Sequence, residues 1–238
     1  MRFRVMVLAG ALGALAACGT DEVGPTGYEP NQPTGRIRFV HAISDPPRAS
    51  AVNVTVDGVP LGVSLAYGGL APTTLYYPAY AGNRQFAVRR TADTTVHLLD
   101  AAVPVTANTD HTVIAVGAAT VTALVLTDNN AAPAAGSVKL RAVNAANAAG
   151  DVDVYITAPG ASIAAIAPTF ADLAPGTASG YLERAAGATQ VRFTTAGTKT
   201  VVRDVSLGTL ASGAIRTVVL LEAAAGGTPL SSTVLTDR

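Results

Sequence analysis

The chain is predicted to be all-β, built as two tandem β-sandwich domains, and three observations predict it. From Arg36 onward apolar residues alternate with period two, as in Val52-Asn53-Val54-Thr55-Val56. This is the spacing of a strand with one face inward. Such runs are separated about every 8–12 residues by Gly, Pro, Asn and Asp clusters, the rhythm of a sandwich or barrel. The whole pattern then recurs once, roughly 100–109 residues later. Alanine is abundant and favours helix, but the alanines lie among Gly, Pro and β-branched residues, and no helical stripe follows the first 17 residues.

The elements can be justified in chain order. Arg2 and Arg4 precede an apolar run from Val5 to Leu15, which has the length of a secretory leader (about 7–15 residues). It falls short of the roughly 20 residues that span a membrane. Leu15-Ala16-Ala17-Cys18 closes this run and holds the only cysteine of the chain. The string resembles the lipobox of bacterial lipoproteins. That resemblance implies cleavage before Cys18, a thioether-linked diacylglycerol on its sulfur, and acylation of the new amino terminus. Several acyl chains on one residue, at about 0.8 kcal/mol per buried CH₂, hold firmly to a bilayer where one chain does not. The same resemblance implies that Gly19, in the next position, favours the outer membrane if the host is Gram-negative. Residues 1–17 are therefore expected to be a signal peptide. Residues 18–35, with Gly19, Gly24, Pro25, Gly27, Pro30, Pro33 and Gly35, are expected to be a flexible tether reaching on the order of 50 Å when extended.

The repeat divides the remainder into copy one, 36–135, and copy two, 136–238. Arg38-Phe39-Val40-His41-Ala42 matches Arg141-Ala142-Val143-Asn144-Ala145, and Val52 to Val56 matches Val152 to Ile156. Leu70-Ala71-Pro72 is aligned with Leu173-Ala174-Pro175, Tyr67 roughly with Phe170, and Tyr77 with Tyr181. Val125-Leu126-Thr127-Asp128 matches Val234-Leu235-Thr236-Asp237. A period this long means tandem domains, since solenoid repeats run about 20–50 residues. About seven strands in about 100 residues suit an immunoglobulin-like, two-sheet sandwich. The hallmark cysteines of antibody domains are missing, so the likeness is one of architecture. The short linker from Asn129 to Gly136 leaves the copies to stack end to end or to hinge.

Copy one resembles a known family. Arg38 to Ala42, then Asp45-Pro46-Pro47, then the valine strand ending in Asp57-Gly58, is similar to the opening of the bacterial family catalogued as domain of unknown function 4397. Tyr77 with Pro78 to Gly82, His111 to Gly117 and Leu124 to Asn129 are similar to its later segments. Copy two keeps the skeleton, with Asn144 in place of His41 and without the Asp-Pro loop. The resemblance implies secreted or envelope-anchored β domains, often in tandem, and brings no catalytic residues.

Composition narrows the function classes. Hydrophobic residues make up 49% and charged residues 13%, which supplies packed cores and is too little charge for a disordered chain. The 16 basic residues, less Arg2 and Arg4 of the leader, leave 14 against 16 acidic ones. That balance gives no drive for nucleic-acid binding. There is no Gly-x-Ser-x-Gly elbow or phosphate-binding glycine loop. The three histidines, His41, His97 and His111, all lie in copy one without ligand spacing on one element, and a zinc site needs three or four converging ligands. His41 is expected to brace the Asp45 loop. Asp151 and Asp153 are expected on a solvent-facing strand start, and Arg36 with Arg38, and Lys139 with Arg141, on solvated faces open to an anionic partner. Tyr67 and Tyr77 are expected in the core. Tyr76 and Tyr80, without aromatic counterparts in copy two, are the candidate binding surface, because tyrosine offers flat amphipathic contact area.

The expected function is a non-enzymatic, lipid-anchored protein of the bacterial cell envelope that binds or spaces. Its partners would be the membrane, through lipid on Cys18, and an envelope protein or glycan, with no nucleic acid. No catalytic residue, metal or cofactor is expected. The rival is a periplasmic hydrolase or metal-dependent enzyme centred on the copy-one histidines.

Overall fold

The computed structural model describes residues 32–45, 49–73 and 75–238. The leader, Cys18, nearly all of the tether and the Pro46-Pro47 part of the Asp-Pro loop lie outside the described residues. Among the described residues no helix is long and apolar enough to cross a membrane.

Copy one contributes β1 (Thr34–Ile43), β2 (Ala51–Val56), β3 (Val59–Ala66), β4 (Leu70–Ala71), β5 (Tyr77–Tyr80), β6 (Gly82–Arg90), β7 (His97–Val105), β8 (Asp110–Gly117) and β9 (Val121–Asp128). They form two sheets, ordered β4-β1-β8-β9, with β5 beside β1, and β3-β2-β6-β7. The two-sheet sandwich is the expected architecture. Within it β1 occupies the interior of its sheet and runs parallel to β8, with Phe39 opposite Val113. The β2–β3 hairpin turns on Asp57-Gly58, both at positive φ (50° and 80°), the backbone that a two-residue hairpin needs and that Asp-Gly supplies. Gly117 ends β8 at φ 108°, where a Cβ would stand 2.1 Å from the Thr120 carbonyl oxygen.

Copy two repeats this plan strand for strand. Its strands are β10 (Ser137–Asn144), β11 (Val152–Thr157), β12 (Phe170–Leu173), β13 (Thr177–Ala178), β14 (Leu182–Ala185), β15 (Gly187–Thr195), β16 (Val201–Leu210), β17 (Ile215–Leu221) and β18 (Ser231–Thr236). The sheets are β13-β10-β17-β18, with β14 beside β10, and β12-β11-β15-β16. The ladders correct two sequence alignments. Leu65 faces Val52 as Leu173 faces Val152, and Leu70 faces Val40 as Ala178 faces Val143. The segment around Leu70 is therefore displaced from Leu173. The reason is the long β11–β12 connection, residues 158–169, where copy one has two residues. Likewise Tyr77 faces Ile37 as Leu182 faces Leu140, which makes Tyr76 the counterpart of Tyr181.

The copies do not stack end to end. The β1 sheet and the β10 sheet pack against each other by their outer faces. In β1, Ile37, Phe39 and Ile43 enter the copy-one core, while Val40 and Ala42 point the other way, into a shared cluster with Ile114, Val116 and Leu126. Copy two completes that cluster with Val143, Ala145, Val219, Leu221 and Leu235. Both central sheets are thus covered on both faces, and the described residues form a stack of four sheets.

Candidate functional site

At one end of the face between the copies the apolar cluster gives way to a buried polar network. β1 and β10 point Arg38 and Arg141 into it, 1% and 4% exposed. These arginines were expected on solvated faces. Period two does put them opposite the copy-one and copy-two cores, but the other copy covers that side.

Arg38 donates from Nε to Thr112 Oγ1 of its own copy at 2.7 Å, from Nη1 to the Thr236 carbonyl of copy two at 3.0 Å, and from Nη2 to Asp237 of copy two. Arg141 mirrors each bond. Its Nε donates to Thr217 Oγ1 at 3.1 Å, its Nη1 to the Thr127 carbonyl at 3.1 Å, and its Nη2 to Asp128 of copy one. Each carboxylate is completed from its own copy: Asp128 by Thr112 and Tyr76, Asp237 by Thr217 and Tyr181. Each tyrosine ring lies under its arginine, with guanidinium-to-centroid distances of 4.7 Å for Arg38–Tyr76 and 4.6 Å for Arg141–Tyr181. Two guanidinium groups and two carboxylates balance, and their polar atoms are bonded.

The electrostatics follow from burial. Desolvation would lower the Arg38 pKa, but Asp237, Tyr76 and Asp128 together raise it, so the charge is held. Desolvation, and then the neighbouring carboxylates, push the phenols of Tyr76 and Tyr181 well above the ordinary tyrosine range. A buried ion pair is weak evidence for stability. Its reciprocal geometry here sets the register of one sheet on the other.

Tyr76 is therefore half-buried and turned inward, and its phenol is committed to Asp128. Tyr80 is half-buried opposite Thr34 at the start of β1. Tyr77, expected in the core, is 39% exposed, because the sheet position equivalent to Tyr181 belongs to its neighbour. Asp153, expected at the surface, is buried and accepts from the Asp172 and Gly197 backbone N–H groups at 3.0 Å each. It ties β12 to the turn between β15 and β16.

The histidines do not converge. His41 is fully buried: its Nε2 donates to the Ala49 carbonyl at 2.8 Å, and its Nδ1 accepts from the Ile43 N–H at 3.2 Å. It braces the loop that follows β1, as expected, through Ala49. Burial lowers its pKa and keeps it neutral. His111 lies four rungs down the β1–β8 ladder from His41, about 13 Å along the strands. Its Nε2 accepts from the Thr106 N–H at 3.0 Å. His97 stands on the other sheet with Asp100 at 3.1 Å. Among the described residues no three His, Cys, Asp or Glu side chains are placed to hold a metal ion.

An open polar cleft borders the network at the linker, lined among others by Arg36, Asn108, Asp110, Asn129 and Asn130. Arg36 binds Asp110 with two bonds of 2.6 Å, and Asn130 Nδ2 adds a third at 2.6 Å. Its charges are paired with one another.

Asp128, Asp237, Thr112 and Thr217 were not singled out from sequence. The signal was present: each copy carries one base and one acid at matched positions, Arg38/Arg141 and Asp128/Asp237. The apolar runs Val113–Val116 and Val218–Leu221 are also continuous rather than alternating, which marks strands covered on both faces.

No curated protein sequence matches the chain. A leucine-rich repeat protein from Bacteroides thetaiotaomicron VPI-5482 aligns at 15% identity and a TM-score of 0.19, covering 77% of this chain, and the chain spans 25% of that protein's length. CBMbc, of family CBM26, from Eubacterium rectale Amy13K in complex with maltoheptaose aligns at 7% identity and a TM-score of 0.24, covering 84% of this chain and 96% of that one. A family model matches residues 35–155, from β1 through copy one and into β11 of copy two. The chain belongs to the family described as Domain of unknown function (DUF4397).

Proposed function

We propose that the chain is a lipid-anchored protein of the bacterial cell envelope that acts without catalysis, holding a rigid two-copy β block away from the membrane to bind or to space. The observation that carries this reading is Leu15-Ala16-Ala17-Cys18 at the end of an apolar leader, with the only cysteine of the chain at its last position. The breaker-rich stretch that follows suits a tether. The build of the block supports a scaffold role, since its buried charges join the copies and both central tyrosines complete that network from their own copies. An envelope protein or glycan is the partner class for the outward surfaces.

The anchor is tested by Cys18→Ala in the full chain. The wild type is expected in the membrane fraction with an acylated amino-terminal peptide by mass spectrometry. The variant is expected to be soluble or retained as unprocessed precursor, with no acyl mass. An acyl-free wild type, or a variant that is processed and still fractionates with membranes, overturns the reading.

A further inference from the structure

Each copy shows the other the same face. Arg38, Thr112, Asp128, Val40 and Ile114 on copy one correspond to Arg141, Thr217, Asp237, Val143 and Val219 on copy two. A face that carries both a guanidinium and the carboxylate that such a guanidinium needs is complementary to itself about a two-fold axis, the condition for an isologous interface. We propose that this face is a homotypic docking surface whose second partner is another copy of this chain. Two chains exchange copies, copy one of each docking on copy two of the other, and close as a dimer with every cross-copy bond remade.

The closed monomer and the exchanged dimer share the same interface. They differ in the linker 129–136, which holds its place through Lys139 Nζ to Asn129 Oδ1 at 3.0 Å and to the Ala131 carbonyl at 2.8 Å. A short flexible linker supplies an effective concentration on the order of millimolar. A chain at micromolar concentration therefore closes on itself, and exchange grows as the chain is concentrated. The proposal rests on the interface and is independent of the lipid anchor.

The test uses two full-chain variants, Arg38→Met and Asp237→Ala. Alone, each leaves one buried charge without its cross-copy partner. In a mixed exchanged dimer, one interface lacks both members of that pair and the other keeps both, so no charge is stranded. Losing one partner of a buried pair costs far more than losing both. Refolding the two together is expected to lower the concentration for dimerisation by about a hundredfold or more relative to either alone. Native mass spectrometry reads this as a one-to-one hybrid of twice the chain mass. A mixture that gives only the species seen with each variant alone overturns the proposal.

A second arm covers variants that fail to fold. Wild-type chains of natural and heavy isotope content are refolded together up to about 1 mM, the scale of the linker's effective concentration. A mixed-isotope dimer that rises with concentration is expected, and monomer throughout overturns the proposal.

Discussion

At the scale of single residues, the change from His41 to Asn144 between the copies shows what that position does. Asn144 Nδ2 donates to the Gly150 and Leu173 carbonyls, and its Oδ1 accepts from the Ala146 N–H two residues on. His41 donates to Ala49 and accepts from Ile43, also two residues on. Each side chain offers a donor and an acceptor, the amide through two N–H groups and the longer imidazole through one, and each ties down the loop of its own copy. Only histidine titrates. Burial lowers its folded-state pKa below the unfolded value near 6.5, so near that pH the unfolded chain binds more protons than the folded one, and stability falls as the solution is acidified. His41→Asn is expected to lose less stability than the wild type between pH 7 and 5, read from urea midpoints. An unchanged pH slope would reassign the acid sensitivity. The bracing role was legible in the sequence because a polar residue ending an apolar strand beside a loop has few other uses. The burial of Arg38 was not legible, because copy two supplies part of its cover.

Among the elements, the alternation of β2, β6 and β11 and the Asp57-Gly58 turn were readable because one face of each strand is polar and the turn demands its residues. The β11–β12 connection was not, since Ala-Pro-Gly-Ala-Ser carries no period, and its length displaced the alignment of the copies. The structure gives this loop a task. Residues 158–169 cover Tyr155, which is 1% exposed although it sits on the outer side of its sheet. Lys199 pins the cover, with Nζ at 2.7 Å from the Tyr155 hydroxyl, 2.6 Å from the Ile166 carbonyl and 4.5 Å from the ring centroid. Arg192 adds a bond of 2.6 Å to the Ala161 carbonyl. Lys199→Ala is expected to raise hydrogen exchange and proteolytic cutting within 158–169 by several-fold, while the β1 and β10 sheets keep their protection, because local opening costs less than global unfolding. Equal protection of the loop in variant and wild type would show that Lys199 does not hold it.

For the molecule as a whole, the face between the copies decides whether two domains behave as one. The duplication was visible in the sequence. Its packing was not, because a repeat states that two units are alike and says nothing of which faces meet. Besides the matched base and acid of each copy, the continuous apolar runs in β8 and β17 were a hint, and they make sense only once both sides of each central sheet are known to be covered. Covering them couples the copies: an opened copy one would expose Val40, Ala42, Ile114, Val116 and Leu126 and give up the Arg38–Asp237 and Arg141–Asp128 bonds across the face. Water hydrates the released charges and offsets much of that loss, so the coupling rests mainly on the apolar surface returned to solvent. The block from Gln32 to Arg238 is therefore expected to unfold in a single transition. Asp237→Ala, a change in copy two, is expected to lower the unfolding midpoint reported by copy one as much as that reported by copy two, because the group that loses its cross-copy partner, Arg38, belongs to copy one. Residue-resolved hydrogen exchange in denaturant separates the copies directly. Two transitions, with the copy-one midpoint unmoved by Asp237→Ala, would mean that the copies fold independently and that the shared network joins them without coupling them.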